Sequence, residues 1–265
     1  MRQVRRKQDF RMITKSEPEK SLTSHISYKA GRSRGKISVR HKGGRVKRLY
    51  RVLEMGLNEK VGIMGRVETV EYDPYRTSRI ALVLYCDGER RYVLAAQGMN
   101  VGDEILADEK KLPLKVGMRM PLEYIPAGTL IHNIQLHPQG KGRIVRGAGT
   151  SAQVSSPQGD FIQVKLPSSE VRLFHKGCSA SIGQVSNPEH GTITWTKAGR
   201  MRKRGIRPTV RGVAMSPYAH PHGGGEGRTG EGRNPKTPWG KKARGVKTRR
   251  KHKYSNTFII SRRKK

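Results

Sequence analysis

The chain has 265 residues, with 55 Lys and Arg against 20 Asp and Glu, a formal net charge of +35 and a pI near 10.9. A compact domain with this charge repels itself, so we expect a polyanionic partner, and nucleic acid is the first candidate. No apolar run reaches the roughly 20 residues of a membrane span, and the first ten residues lack the apolar centre of a secretory signal, so we expect an intracellular protein.

The charge is unevenly distributed along the chain. Residues 1–51 hold 17 Lys/Arg and 3 Asp/Glu, residues 52–196 hold 16 and 15, and residues 197–265 hold 22 and 2. The middle part therefore has the composition of an ordinary globular protein, whereas both ends need a counter-charge. The two cysteines, Cys86 and Cys178, are far apart and lack Cys-x-x-Cys spacing. We interpret both as small buried hydrophobic residues in a reducing compartment, without a disulfide framework or zinc site.

The first 35 residues are basic and polar. Their apolar residues, such as Phe10, Ile13 and Leu22, follow no period. This pattern predicts an extension that becomes ordered on a partner, and the alternative is a flexible tail without a role.

The next basic stretch, Arg40–Arg51, reads RHKGGRVKRLYR. Gly43 and Gly44 allow a close backbone approach, and the flanking cations can bind phosphates. The alternative interpretation is a solvated run of charge.

A β-rich block follows, because Val, Ile, Leu and Tyr alternate with polar residues between turn signals. Strands are predicted at Leu49–Met55, Gly65–Tyr72, Ile80–Cys86 and Arg91–Ala95. Asp87-Gly88 predicts a tight hairpin. Asp73-Pro74-Tyr75-Arg76 predicts a turn that presents Arg76 at its tip. Several short strands with close turns indicate a small barrel.

A second β unit is predicted after Leu112. Its strands are expected at Thr129–Leu136, Ser151–Ser155, Phe161–Leu166, Val171–His175 and Ala180–Val185, with turns at residues 157–160 and 167–170. Residues 140–149, GKGRIVRGAG, predict a Gly-rich basic loop. This loop lacks the Gly-Lys-Ser/Thr of a nucleotide-binding phosphate loop. The alternative is a surface loop with solvated cations.

A short helix near Asn187–Trp195 is the only helix that the sequence predicts. Beyond Lys197 the chain is mostly Arg, Lys, Gly and Pro, with one further strand predicted at Thr257–Ile260. We expect this terminal segment to have no core of its own, and long segments of this kind are functional or disordered.

The segment His220–Arg228 reads HPHGGGEGR. Consecutive glycines become ordered only where backbone must approach something closely. His220, His222 and Glu226 allow a metal or a catalytic histidine, but the spacing matches no common zinc pattern and glycines do not orient ligands. Contact of the imidazoles and Arg228 with phosphates or base edges fits the segment better.

No nucleophile elbow, Ser-His-Asp arrangement or dinucleotide fingerprint is present, so we predict that the protein is not an enzyme. The carboxylates Asp103, Glu104, Asp108 and Glu109 are interpreted as a solvated face. Recognition helices are missing, which disfavours the common DNA readers. Small barrels with basic extensions fit RNA, which proteins read by shape, backbone and single-stranded elements. Two alternatives stay open: a histidine-based metalloprotein or enzyme, and a basic DNA-compacting protein.

Six motifs in one order carry a specific resemblance. They are RHKGGRVKRLYR (40–51), VEYDPYRTSRIALVLYCDGERRYVLA (70–95), GTLIHNIQL (128–136), RPTVRGVAM (207–215), HPHGGGEGR (220–228) and TPWG (237–240). From about Lys20 onward the chain resembles ribosomal large-subunit protein two, of the bacterial or organellar type. It differs from the family at Arg45 and Val46, where a glycine and a histidine are usual, and at residues 216–219, where Asn-Pro-Val-Asp is usual.

The resemblance implies a mainly β protein in four regions: a basic N-terminal extension (1–35), an OB-type RNA-binding barrel (36–117), an SH3-like barrel (118–190) and a Gly/Arg/Lys-rich C-terminal extension (191–265). It implies a non-enzymatic component of the large ribosomal subunit that supports assembly, subunit association and the architecture around the peptidyl transferase centre. The expected partners are large-subunit ribosomal RNA, small-subunit RNA at the interface and neighbouring ribosomal proteins. A cytoplasmic bacterial ribosome is expected, with an organellar ribosome as the alternative. No cofactor or metal of its own is expected, apart from magnesium ions bound by the RNA nearby.

The predicted RNA-binding residues follow the same motifs. They are Arg40, His41, Lys42, Arg45, Lys47, Arg48, Arg76, Arg79, Lys141, Arg143, Arg146, Arg202, Arg204, Arg207, Arg211, His220, His222, Gly223, Gly224, Gly225, Arg228 and Trp239.

Overall fold

The structure is a computed structural model that describes residues 10, 12–56 and 60–263. Contacts between residues divide the chain into two compact units. Unit 1 comprises residues 1–27, 48–194 and 255–265, and unit 2 comprises residues 28–47 and 195–254. Part of the predicted N-terminal extension therefore belongs to each unit, and the exact limits of the four predicted regions stay predictions. No helix of the described residues is long and apolar enough to cross a membrane.

Unit 1 begins with a strand from the region predicted as an extension. The strands of its first half are β1 (Thr23–His25), β4 (Leu49–Arg51), β5 (Gly65–Tyr72), β6 (Arg79–Tyr85), β7 (Arg90–Leu94) and β8 (Glu104–Ile105). An antiparallel sheet has the order β7-β6-β5-β8, and β1 pairs separately with β4. Leu22, just before β1, packs with the buried side chains of Ile80, Leu82 and Tyr92. The N-terminal region is therefore partly packed on this sheet.

The second half of unit 1 is a larger antiparallel sheet. Its strands are β9 (Arg119–Pro121), β10 (Leu130–His132), β13 (Ala152–Gln158), β14 (Phe161–Lys165), β15 (Val171–His175), β16 (Ser179–Ile182) and β17 (Ile259–Ser261), in the order β17-β15-β14-β13-β10-β16-β9. A separate pair is formed by β11 (Ile134–Gln135) and β12 (Gly142–Ile144). The core contains Met120, Leu122, Ile131 and Phe174 among other side chains. The predicted fold class, mainly β with OB-type and SH3-like barrels, is confirmed.

Several local predictions need correction. The predicted helix is a 3-10 helix, Pro188–Thr192, and the α-helix α1 lies later, at Ala198–Lys203. The predicted loop 140–149 contains β12, since Gly142 lets this strand lie directly against Asn133. Cys86 is exposed rather than buried, because it follows β6 in the hairpin turn, whereas Cys178 is buried as predicted.

Unit 2 has little regular structure. It contains the hairpin β2 (Arg32–Ser33) and β3 (Lys36–Ile37), helix α1 and a 3-10 helix at Gly212–Ala214. None of the buried hydrophobic side chains in the described part of the chain lies in this unit.

Candidate nucleic-acid interface

Unit 2 concentrates the positive charge of the chain. Its two segments, 28–47 and 195–254, carry 8 and 18 Lys and Arg and only 2 Glu, which gives a formal charge of +24 out of +35. The sequence distributes this charge over two distant ends, and the fold joins them. Such a charge density in one unit raises the local concentration of polyanions and repels itself without them.

Backbone hydrogen bonds join the two segments of unit 2. Gly43 N donates to Gly205 O at 3.0 Å, Arg207 N donates to His41 O at 3.0 Å, and Val46 N donates to Lys203 O at 3.1 Å. Gly43 is thus a point of close approach, as predicted, but what approaches it is the chain's own residues 205–207. The cations of residues 40–47 and of α1 are therefore held within one unit.

Three arginines of unit 2 lie over aromatic rings. The guanidinium carbon of Arg204 is 3.9 Å from the centroid of Trp195, and that of Arg45 is 4.1 Å from the centroid of Tyr28. Arg40 lies 5.6 Å from the ring of Trp239, which is exposed. Each ring face orients the guanidinium that lies over it, and the guanidinium is always charged, as phosphate binding requires.

The segment His220–Arg228 is called the glycine segment below. Its imidazoles are buried in unit 2, each with 8% of its surface exposed. His222 N donates to Nδ1 of His220 at 3.0 Å, and Lys236 N donates to Nε2 of His222 at 2.9 Å. The two rings lie 4.7 Å apart. Because these nitrogens accept backbone hydrogen bonds, they hold the loop rather than face a partner. Their burial leaves little surface for the predicted contact with RNA, which stays a prediction.

The glycines of this segment allow the chain to pack on itself. A Cβ on Gly223 would overlap the carbonyl oxygens of Ser216 and Met215, the latter at 2.5 Å. A Cβ on Gly224, which has φ +86°, would lie 2.6 Å from Cγ of Pro217. The sequence predicts that the glycines allow a close backbone approach, and the structure identifies residues 215–217 as what they approach.

Three predicted RNA contacts in unit 1 are engaged within the protein. Arg76 is not displayed freely at its turn, since it donates to Asp73 at 2.6 Å and lies over Tyr50. Arg48 donates to Pro74 O at 2.8 Å. Arg79 is only 5% exposed and lies beside aromatic rings, so it is the least accessible of the predicted contacts.

The other predicted cations are exposed. In unit 1 these are Lys141, Arg143 and Arg146, on either side of the buried Val145. In unit 2 the exposed cations of the prediction are Arg40, Lys42, Lys47, Arg202, Arg207, Arg211 and Arg228. The structure thus brings most predicted site residues into unit 2. The remainder lie in unit 1: Arg79 in β6, Arg143 in β12, and Arg48, Arg76, Lys141 and Arg146 in the connections between strands.

Some functional candidates escaped the sequence analysis. Tyr28 and Trp195 orient arginines, and the signal that could have found them is an aromatic residue within a basic stretch. Asp73 is fully buried and holds Arg76. Among the described residues, no group of three or more His, Cys, Asp or Glu is arranged to hold a metal ion.

Two family models match the chain. The model described as "Ribosomal Proteins L2, RNA binding N-terminal domain" matches residues 19–107, and "Ribosomal Proteins L2, C-terminal domain" matches residues 115–240. The second match includes the glycine segment and the TPWG motif. The mainly β structure, which is consistent with an OB-type and an SH3-like barrel, agrees with both matches. The chain belongs to the ribosomal protein L2 family and is a large-subunit ribosomal RNA-binding protein.

Proposed function

We propose that this protein is a structural, non-enzymatic component of the large subunit that supports its assembly, its association with the small subunit and the architecture around the peptidyl transferase centre. The observation that carries the proposal is the construction of unit 2. This unit consists of two separate stretches of the chain and carries a formal charge of +24. None of its described residues is a buried hydrophobic side chain. Such a unit needs a polyanion on several sides at once, and a large folded RNA provides one.

The geometry of the glycine segment favours a structural over a catalytic role. Nδ1 of His220 and Nε2 of His222 both accept backbone hydrogen bonds. A general base needs a free lone pair within reach of a substrate proton, and a metal ligand needs a free nitrogen. The histidines instead hold the loop, which favours a structural role for this segment.

The proposed partners are large-subunit RNA, small-subunit RNA at the interface and neighbouring ribosomal proteins. The setting is a bacterial ribosome, with an organellar ribosome as the second possibility. Exposed cations of unit 2 make the phosphate contacts. Exposed cations of the loop around Arg146 make further contacts from unit 1.

Salt titration of binding to large-subunit RNA tests the proposal. About seven neutralised phosphates on single-stranded or irregular RNA give a log–log slope of about −5, at about −0.7 each. Co-sedimentation with the large subunit at moderate salt is expected as well. A slope equal to only one or two contacts would overturn the proposal.

Two further measurements separate the alternatives. Stoichiometric zinc that is lost on His222→Ala would favour a metalloprotein. Equal affinity for duplex DNA and for structured RNA would favour a DNA-compacting protein.

Subunit joining is tested by adding the small subunit to large subunits assembled with and without the protein. Equal joining would contradict the proposed role at the interface.

A further inference from the structure

One aromatic side chain of unit 2 is completely exposed. Tyr218 has a relative exposure of 100%, the highest of the exposed large hydrophobic residues among the described part of the chain. Tyr28, Trp195 and Trp239, in the same unit, each have an arginine over the ring. Both faces of the Tyr218 ring are open. A bare aromatic ring in water is unfavourable, and within a strongly basic surface it has the chemistry of a stacking platform for nucleobases.

The turn that displays Tyr218 is held by hydrogen bonds at both ends. Ala219 N donates to Ser216 O at 2.9 Å, and His220 N donates to the same oxygen at 3.2 Å. Along the chain, Tyr218 lies between the acceptor residue Ser216 and the two donor residues, and its side chain is on the outside of the turn. The backbone on either side of the ring is therefore set before any partner binds.

The glycine segment braces the same turn from behind. Gly223 lies directly against the carbonyl oxygens of Met215 and Ser216, and Gly224 lies against Pro217. Next to the turn, the ring of His220 fills the space at Gly212, where a Cβ would lie 2.5 Å from its Nδ1. The buried histidine and the close-packed glycines thus fix the position of the residues on both sides of Tyr218.

We propose that Tyr218 is a stacking site for an unpaired base of the ribosomal RNA and that the glycine segment serves to hold this ring in place. This inference rests on the proposed function and specifies one contact with the RNA, the stacking of a base on the ring of Tyr218. Single-stranded bases splayed from RNA stack on aromatic side chains, and the contact tolerates any base because every base has a π-face. A preset turn reduces the ordering entropy that such a contact costs.

Stacking and phosphate binding respond differently to salt. The tyrosine carries no charge, so Tyr218→Ala changes the affinity without changing the number of neutralised phosphates. We expect about 5- to 150-fold weaker binding to large-subunit RNA, with the same log–log salt slope as the unmodified protein. Tyr218→Phe keeps the ring and is expected to bind within about twofold of the unmodified protein. Tyr218→Leu keeps an apolar side chain without a π-face and is expected to behave like Tyr218→Ala.

The base itself is found by acylating 2′-hydroxyl groups in large subunits assembled with each variant. One or a few unpaired nucleotides become reactive with Tyr218→Ala and stay protected with Tyr218→Phe. Circular dichroism of the full chain confirms that each variant keeps its fold.

The outcomes distinguish this inference from the proposed function. A steep slope with unchanged affinity for Tyr218→Ala overturns the stacking site and leaves the RNA-binding role standing. A shallow slope for the unmodified protein overturns the proposed function. If Tyr218→Leu binds like the unmodified protein, the contact is apolar rather than a base stack, and the inference is wrong.

Discussion

The close approach of Gly223 to its own chain leads to a sharp prediction for Gly223→Ala. The added Cβ would overlap Ser216 O and lie 2.5 Å from both Met215 O and the carbonyl carbon of Ser216. Real Cβ atoms essentially never come closer than 3.0 Å to such atoms, so the backbone must move by about 0.5 Å or more. Gly223 does not have a positive φ, so the cost is steric and not a matter of backbone strain.

The magnitude follows from the nature of the neighbours. Carbonyl groups of the main chain cannot rotate away as a long side chain can, and overpacking of this kind costs about 1–3 kcal/mol. The same shift weakens the hydrogen bond from Gly223 N to His220 O, which is 2.9 Å long. The free variant can relieve the overlap by letting this turn open, and binding to RNA must close it again. Incorporation is therefore expected to fall by up to that amount, which corresponds to about 5- to 150-fold.

Competition measures this difference directly. Equal amounts of the unmodified protein and of Gly223→Ala, distinguished by isotope label, are assembled with limiting RNA, and the ratio in purified large subunits is determined. Gly230→Ala is the matched control, because Gly230 lies in the same unit, has no positive φ and would place its Cβ in open space. It is expected to incorporate equally well or slightly better, since alanine restricts the unfolded chain. Equal incorporation of Gly223→Ala, or an equal defect for Gly230→Ala, would refute the reasoning.

Further predictions follow from single contacts. Arg146→Gln is expected to weaken RNA binding by about 1–3 kcal/mol without changing the free energy of unfolding, because Arg146 is exposed. Arg76→Gln is expected to weaken binding and also to destabilise the protein by about 3 kcal/mol, since it leaves the buried carboxylate of Asp73 without its positively charged partner. Burial lowers the pKa of His132 to about 4, below the roughly 6.5 of an unfolded histidine, so stability falls as the pH drops from about 6.5 to about 4, by roughly 3 kcal/mol. Urea unfolding across that range is expected to show a flatter pH dependence for His132→Gln. His220→Ala removes the acceptor for a buried amide, costs about 1–3 kcal/mol and is expected to impair assembly no more than Gly223→Ala.

Each of these has an outcome that contradicts it. Unchanged RNA binding for both arginine variants would place the contacts elsewhere. Equal unfolding free energies for the two arginine variants would show that the ion pair of Arg76 does not stabilise its turn. A His132→Gln curve parallel to that of the unmodified protein would show that the imidazole is not responsible for the loss in acid. A larger assembly defect for His220→Ala than for Gly223→Ala would show that the histidine matters more for assembly than the close packing of the glycine does.

The β-rich part of the chain was largely predictable from local pattern. Apolar residues between turn signals found β5, β6, β14 and β15. In β14 they alternate because the strand is buried on one side, whereas β6 is an apolar run because nearly all of it is buried. The strands that the pattern missed, β1, β2, β3, β8, β9 and β12, are two or three residues long. Such strands form through pairing with neighbours distant in sequence, which leaves no local period to read.

For the candidate site as well, some features could be predicted from the sequence and others depended on the tertiary structure. The sequence by itself determined the charge, its concentration at both ends, the family motifs and the need for a close backbone approach in the glycine segment, since all of these depend on residue type and order. Only the tertiary structure decided that residues 28–47 and 195–254 form one unit, because hydrogen bonds such as the one from Gly43 to Gly205 link positions that are far apart in the sequence. It also decided that His220 and His222 are buried supports while Tyr218 is fully exposed. Burial depends on which groups the folded chain brings together, and no local spacing of residues contains that information.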